Sequence, residues 1–235
     1  MKMISIVIPT LNEEKYIGRL LQSLNNQTFK DFEVIVVDGS SEDGTKEIAR
    51  KYKAKFIPTN IRNVSHQRNL GAELAAYSRI LFLDADGYLE PDFLEKSLKE
   101  IYKRKLQVTG CYLYPDSKNP FYRMAYLIFR QWVRFQNRTP TPAVNGSCFF
   151  TTKKIHKKVK GFNPQISYAE DYDYARKALK HCDVALLKKS KIYTSVRRFE
   201  KEGKFKTGLK YIYIALLMDV FGKKAPRVKY DSGKF

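Results

Sequence analysis

The sequence has few cysteines and no long apolar run. Cys111, Cys148 and Cys182 are widely spaced and form no CxxC pair, which argues against a disulfide framework or a zinc site and favours a reducing compartment. The longest apolar stretch, residues 211–218, is far short of the roughly 20 residues that a membrane-spanning helix needs. The N-terminal MKMISIVIPT enters a strand-like pattern directly, without the cleavage site of a signal peptide. We therefore expect a cytoplasmic protein that does not span a membrane.

Two common nucleotide-binding motifs are also absent. The chain has no Walker glycine loop and no GxGxxG turn after its first strand, which makes a kinase, an ATPase or a dinucleotide-dependent enzyme a poor interpretation. The run IPTLNEEKY likewise lacks the glycine-rich loop with Arg, Pro and Lys that is typical of sugar nucleotidyltransferases. A nucleotide substrate would have to be held in another way.

Acidic residues are scarce relative to basic ones. Lys and Arg number 44 against 24 Asp and Glu, giving a net charge of +20. Such an excess favours a polyanionic partner, which is nucleic acid, an anionic membrane or a phosphorylated substrate, although lysine-rich surfaces also serve solubility. No recognisable RNA- or DNA-binding motif accompanies the charge, so we expect no nucleic-acid partner and keep that class as an alternative.

The first half of the chain alternates strand and helix patterns. Strands are predicted at residues 4–8, 32–37, 55–57 and 79–83, and helices follow them, the last three at about 44–52, 65–77 and 91–103. The continuous apolar runs FEVIVV and RILFL are typical of central parallel strands covered on both faces. This order predicts an α/β protein with a doubly wound, mostly parallel sheet.

The pattern changes after residue 106. A strand (VTGCYLY), an aromatic-rich helix, a second strand (NGSCFFTT) and two further helices are predicted there. We expect one domain over residues 1–200, with a nucleotide-sugar-binding half at 1–105 and an acceptor half at 106–200. A basic amphipathic segment, 201–235, follows it.

Polar clusters follow three of the predicted strands: residues 9–13 (PTLNE), 38–40 (DGS) and 84–86 (DAD). In open α/β sheets, ligands bind at the carboxyl ends of the strands, so three such clusters at one edge predict a site. Asp84 and Asp86 suit a hard cation, Mg²⁺ or Mn²⁺, which completes its shell with substrate phosphates. A cation held in this way neutralises a diphosphate leaving group.

These clusters occur in an ordered set of motifs. The runs IVIPTLNEEKYIGRLLQSL, VIVVDGSSEDGT and SHQRNLGAELAAYSRILFLDADG resemble the nucleotide-binding half of family 2 glycosyltransferases with the GT-A fold. The likeness continues through NGSCFFTTKKIHKKVKGFNP and YAEDYDYARKALK, to about residue 180. It implies a Rossmann-like, mostly parallel central sheet flanked by helices. It also implies inverting, metal-dependent transfer of a mannose- or glucose-type sugar from a GDP- or UDP-sugar.

The resemblance assigns donor-binding roles by position. Pro9, Thr10 and Glu13 match the first-strand loop that contacts the nucleotide, and Asp38 matches the carboxylate that recognises the base. Further donor-binding positions are Arg68, Asn69, Asp84, Ala85 and Asp86.

The same resemblance assigns the metal and the base. Asp86 matches the direct metal ligand, and Asp84 is shared between the ribose and the metal. Asp171 matches the general base that takes the acceptor's proton, with Glu170 as the second candidate. The competing interpretation is that Glu170, Asp171 and Asp173 are ordinary acids on the first turn of a helix, where they favour the helix dipole.

Residues 121–138 form a predicted helix with an arginine stripe. At 100° per residue, Arg123, Arg130, Arg134 and Arg138 share one narrow face, and much of the remaining surface is aliphatic or aromatic. Such a helix suits an anionic membrane interface, and the competing interpretation is a core helix whose arginines reach solvent. Residues 204–221 form a second basic and apolar segment. Both segments also fit pairing with each other or with a second subunit, as in a homodimer.

Membrane attachment within this family favours a lipid-linked acceptor, such as a polyprenyl phosphate or a lipid-linked sugar. The enzyme would then lie peripherally on the cytoplasmic face of the membrane. A soluble glycan or protein acceptor is the alternative. Arg197 and Arg198 are expected on a flexible loop that closes over the diphosphate. The complete predicted acceptor and phosphate set is Arg123, Arg130, Arg134, Asn145, Gly146, Ser147, Arg197 and Arg198.

Overall fold

The computed structural model describes residues 2–137, 144–166 and 169–204. The strands are β1 (Ile4–Thr10), β2 (Phe32–Asp38), β3 (Lys55–Pro58), β4 (Arg79–Leu83), β5 (Gly87–Leu89), β6 (Val108–Pro115), β7 (Cys148–Thr152) and β8 (Val184–Thr194). The helices are α1 (Glu14–Asn25), α2 (Thr45–Lys51), α3 (Val64–Leu74), α4 (Phe93–Lys103), α5 (Pro120–Gln136), α6 (Lys153–Lys158), α7 (Glu170–Ala178) and α8 (Arg197–Glu202).

All eight strands join one sheet, in the order β3-β2-β1-β4-β7-β6-β8-β5. Strands β1 to β4 are parallel to one another, as predicted. Strand β7 then runs antiparallel to both β4 and β6, while β6 and β8 are parallel and β5 is antiparallel to β8. The fold is therefore mixed α/β, with the parallel strands β1 to β4 continued by strands of both directions.

Strands β5 and β8 are absent from the sequence prediction. Strand β8 contains the polar run KKSK, which interrupts the apolar pattern that would mark a strand. Only Ser190 of that run is buried, while Lys188, Lys189 and Lys191 are exposed. A register irregularity between Gly110 and Tyr112 of β6 accompanies the change. The pairing of β8 with β6 thus depends on tertiary contacts.

Alternation along the strands divides the core between the two faces of the sheet. In β1, Ile4, Ile6 and Ile8 pack against α1 and α4, whereas Val7 packs on the opposite side with α3 and α7. All four side chains are fully buried. This sandwich leaves the carboxyl ends of β1, β2 and β4 at one edge, where the polar clusters lie.

Helix α3 lies unusually close to β1. A Cβ added at Gly71 would stand 2.2 Å from Val7 Cγ1, so only glycine allows the approach. Asn63 caps the N-terminus of the helix, and its side chain accepts a hydrogen bond from His66 N. The close packing brings Gln67 and Arg68, both buried, beneath the ends of the parallel strands.

Several outcomes concern the second half. The predicted helix at 121–138 is confirmed as α5, but Arg138 and nearly all of the predicted basic segment 201–235, including its 204–221 helix, lie outside the described residues. Among the helices that are described, none combines the length and the apolar character needed to cross a bilayer.

The three cysteines are free thiols, and the Cys111 and Cys148 sulfurs face each other at 3.0 Å.

Candidate active site

The ends of β1 and β2 meet through Thr10 and Asp38. The Thr10 hydroxyl donates to Asp38 Oδ1 at 2.8 Å, and Ser41 donates to the same carboxylate through its backbone N–H and its hydroxyl. Gln67 Nε2 ties both strands together by donating to the carbonyls of Thr10 and Val37. Gln67 is a site residue that sequence reasoning missed, because a glutamine inside a helix carries no motif. Base recognition by Asp38 and nucleotide contact by Pro9, which is buried within β1, stay predictions.

The central feature of the site is the buried guanidinium of Arg68, whose side chain is 3% exposed. It contacts Asp84 Oδ1 at 2.8 Å and Glu170 Oε1 at 2.5 Å, and it donates to the Gly146 carbonyl at 3.3 Å. Burial alone would lower the pKa of Arg68, but Asp84, Glu170 and Asp171 raise it. Arg68 thus holds the end of β4 against the start of α7. Its predicted donor-binding role stays a prediction.

Asp84 is fixed on both of its oxygens. Arg68 occupies Oδ1, and the Ser147 hydroxyl donates to Oδ2 at 2.7 Å. Desolvation would raise the pKa of Asp84, but the charge of Arg68 and the hydrogen bond from Ser147 hold it below its usual range. The neighbouring Ala85 is buried. Asp84 is therefore an oriented, ionised carboxylate at neutral pH.

Asp171 has the opposite electrostatic environment. Burial and the adjacent charge of Glu170 raise its pKa to about 7, although hydrogen bonds from Gly146 N and Tyr172 N and the charge of Arg68 oppose the rise. The hydrogen bond from Gly146 N to Asp171 Oδ2 is 2.6 Å long. A Cβ added at Gly146 would lie 3.0 Å from Arg68 Nη2 and 3.3 Å from Asp171 Oδ2. A carboxyl group with a pKa near 7 is suited to general base catalysis.

Glu170 and the 145–147 turn complete this part of the site. Since Glu170 is paired with Arg68, it is a weaker candidate for the base than Asp171. The Asn145 side chain accepts from Ser147 N and shapes the turn. Gly146 and Ser147 then contact Asp171 and Asp84. The turn predicted to bind the acceptor therefore joins both acidic groups.

Arg197 closes the opposite side of the site. Its guanidinium donates to both oxygens of Glu13, at 2.6 and 2.8 Å, and its Nε lies 3.1 Å from Asp86 Oδ2. The same group stacks over Tyr16 at 4.5 Å. The expectation of a flexible loop is corrected: β8 intervenes after α7, and Arg197 and Arg198 begin the short helix α8. Burial raises the pKa of Asp86, and the charges of Arg197 and Arg198 partly counter that rise.

Other predicted residues lie elsewhere. The Asn69 carboxamide bonds to the backbone N–H and carbonyl of Phe162 and so fixes the 161–163 turn. Its contact with the donor stays a prediction. On α5, Arg130 stacks on Tyr114 at 4.2 Å and donates to the Leu113 carbonyl, because the aromatic face of β6 lies beneath it. Arg134 lies over Tyr112 at 5.7 Å, and Arg123 is exposed.

Sheet order, strand-end acids and the α7 carboxylates together define a protein with the GT-A fold of nucleotide-sugar-binding glycosyltransferases. The chain belongs to glycosyl transferase family 2, whose sequence model matches residues 5–160. It is 33% identical to the chondroitin synthase of Escherichia coli over 179 residues, which is 73% of this chain and 26% of that protein. The chain thus spans about a quarter of the length of this relative.

Solved structures support the same fold. The mannosyltransferase PcManGT from Pyrobaculum calidifontis, in complex with GDP-Man and Mn²⁺, superimposes with a TM-score of 0.74 at 17% identity, covering 94% of this chain and 65% of that one. Staphylococcus aureus TarS 1-349 in complex with UDP-GlcNAc gives a TM-score of 0.66 at 23% identity, covering 92% and 67%. At these identities the likeness establishes the fold alone.

The residues present fit a divalent ion. Asp84 and Asp86 offer hard carboxylate oxygens at a partly exposed edge, which is the donor chemistry that Mg²⁺ and Mn²⁺ prefer. Within the described ranges, no cluster of three or more His, Cys, Asp or Glu side chains forms a complete protein cage. An ion at this edge would therefore take one or two protein carboxylates and fill its shell with phosphates and water.

Replacing Arg68 with Met tests the importance of the buried network. Removing the guanidinium leaves Asp84 and Glu170 without their counter-charge, so we expect Arg68→Met to lower the free energy of unfolding by about 3–5 kcal/mol. The matched control is Arg62→Met, which breaks the exposed Arg62–Glu42 pair and should cost about 0–1 kcal/mol. Urea unfolding followed by circular dichroism measures both. Equal, small losses would contradict a structural role for Arg68.

Proposed function

We propose that the chain is an inverting, metal-dependent glycosyltransferase that moves a sugar from a nucleotide-diphosphate-sugar to an acceptor hydroxyl. One observation carries the proposal: the base-like carboxyl of Asp171 and the oriented carboxylate of Asp84 adjoin the same buried guanidinium, that of Arg68. Inversion requires a base on the acceptor side, which Asp171 would supply. It also requires charge compensation on the leaving-group side, which a cation held by Asp84 would supply.

In the proposed step, the acceptor oxygen forms a bond to the anomeric carbon while the bond from that carbon to the diphosphate oxygen breaks. The nucleotide diphosphate leaves with the bonding electron pair, and the acceptor proton passes to Asp171. Arg197 and Arg198 lie beside Asp86 and supply positive charge toward the leaving group. A Mn²⁺ or Mg²⁺ ion held by Asp84 and Asp86 would add further charge compensation when bound.

The donor is proposed to be a GDP- or UDP-sugar of the mannose or glucose type. The similar solved structures are complexes with GDP-Man and with UDP-GlcNAc, which supports testing both bases. Thr10 and Asp38 meet at the strand ends where the base is expected, and a carboxylate such as Asp38 can recognise more than one base.

The role of Asp171 is tested by donor hydrolysis, in which water is the acceptor. A base must be ionised, so kcat/KM should rise with pH through about 7 and level off above it. Asp171→Asn should lower kcat by about 10²–10⁴-fold and abolish that rise. Asp173→Asn, on the same helix but paired with Lys177, is the control and should keep the rise. An unchanged rate and pH profile in Asp171→Asn would contradict the assignment.

The acceptor is proposed to be membrane-borne and lipid-linked, with α5 docked on the cytoplasmic face of the membrane. The helix contains three arginines and no acid. Met124, Ile128 and Phe135 are 57%, 61% and 64% exposed, and they lie on one side of the helix next to Arg123 and Arg134. Exposed apolar side chains bordered by cations are typical of helices that bind anionic lipid.

Other partners fit this face less well. A second copy of the chain in a symmetric dimer would bring two acid-free, arginine-bearing helices together, which like-charge repulsion disfavours. A soluble glycan or protein acceptor would leave the exposed apolar residues without a function. Nucleic acid, the remaining alternative, would not require exposed methionine and isoleucine side chains beside the arginines.

Flotation with vesicles tests membrane docking. The protein should float with vesicles that contain anionic phosphatidylglycerol and much less with pure phosphatidylcholine, because the arginines require anionic headgroups. Ile128→Asp should reduce flotation, since it places a negative charge within the apolar side of α5. Leu74→Asp alters a 36% exposed leucine on α3 and should leave it unchanged. Equal flotation of wild type and Ile128→Asp would contradict the docking surface.

A further inference from the structure

Arg197 contacts two carboxylates through all three of its nitrogens. Two nitrogens bind Glu13 and the third lies against Asp86. Arg197 is only 18% exposed, and Glu13 and Asp86 are 11% and 17% exposed, so solvent screens the cluster weakly. The Arg197 guanidinium therefore places one positive charge between Glu13 and Asp86, two acids from separate loops.

The same Asp86 is the expected ligand of the divalent ion. A carboxylate oxygen that accepts from Arg197 is less available to a metal, and a divalent ion beside the guanidinium meets a like charge at short range. An ion arriving alone would therefore compete with Arg197. A nucleotide diphosphate changes this balance, because its oxygens offer Arg197 a new bidentate acceptor and offer the ion further ligands.

We propose that Arg197 is the built-in counter-ion of Asp86 and Glu13. A divalent ion displaces Arg197 from Asp86 efficiently only when a nucleotide diphosphate is present. Metal and nucleotide then bind cooperatively, each strengthening the other by the same factor. This inference rests on the metal dependence in the proposed function. Arg197 then has a positioning role that precedes any contact with the donor.

The surroundings indicate that the exchange needs only a side-chain movement. Ser195 N donates to the Asp86 carbonyl at 3.1 Å, which holds the end of β8 against the site. Phe199 packs against Tyr122 and Tyr126 of α5, which holds α8 from the other side. With the backbone anchored at both points, the long Arg197 side chain is the part of this region that is free to change partners.

Mn²⁺ titration followed by electron paramagnetic resonance tests the proposal, because the signal of free Mn²⁺ is lost on binding. Without nucleotide, Arg197→Gln should bind Mn²⁺ about 10-fold more tightly than wild type, since it removes a nearby positive charge. Adding UDP or GDP should tighten Mn²⁺ binding strongly in wild type and much less in Arg197→Gln. Lys99→Gln, which removes a positive charge from an exposed pair with Glu95, should match wild type.

The outcomes separate this inference from the proposed function. If Arg197→Gln binds Mn²⁺ no more tightly than wild type without nucleotide, while wild type still requires Mn²⁺ for donor hydrolysis, the counter-ion proposal is wrong and the enzyme assignment stands. If wild-type hydrolysis is independent of metal, the proposed metal dependence is wrong, and the counter-ion proposal that rests on it is wrong as well. Should Arg197→Gln not fold, Arg197→Lys serves instead. It keeps the charge but loses the fork geometry, and should tighten Mn²⁺ binding by a smaller factor.

Discussion

The site depends on one buried guanidinium and on the helix that delivers it. Gly71 lets α3 approach β1 closely, and this places Arg68 where acids from β4 and α7 converge. Buried without partners, a charge of this kind would be strongly destabilising, so the acids and the arginine require one another. The arrangement also distinguishes two adjacent carboxyl groups. Glu170 forms an ion pair with Arg68, whereas Asp171 accepts two backbone hydrogen bonds and has a raised pKa.

Positive charge in this protein acts in two different environments. In the site, Arg68 and Arg197 are largely buried, make specific short contacts with acids and hold distant segments together. On α5, the arginines have no acids along the helix and lie beside exposed apolar residues, or stack on tyrosines of β6. The net charge of +20 therefore has no single explanation. Only the second environment bears on what the surface binds.

Local patterns were sufficient to predict the four parallel strands β1 to β4, but not the short strand β5. The apolar runs of β2 and β4 identified buried parallel strands, and their polar ends predicted one shared edge, which Thr10, Asp38 and Asp84 confirm. The partners of the arginines were beyond such reasoning. Arg68 and Glu170 are 102 residues apart and Glu13 and Arg197 are 184 apart, so only tertiary packing pairs them. Strand β8 was missed for the same reason, because its lysine-rich stretch is a strand only in the presence of β6.

The central claim is that the acids and arginines gathered at the ends of β1 and β4 form the site of the donor diphosphate. A crystal structure with Mn²⁺ and either UDP or GDP tests this most directly. We predict an ion bound to Asp86 and a diphosphate within hydrogen-bonding distance of Arg197, with Arg68 still joined to Asp84 and Glu170. A nucleotide bound elsewhere, with Arg197 still between Glu13 and Asp86, would contradict the account.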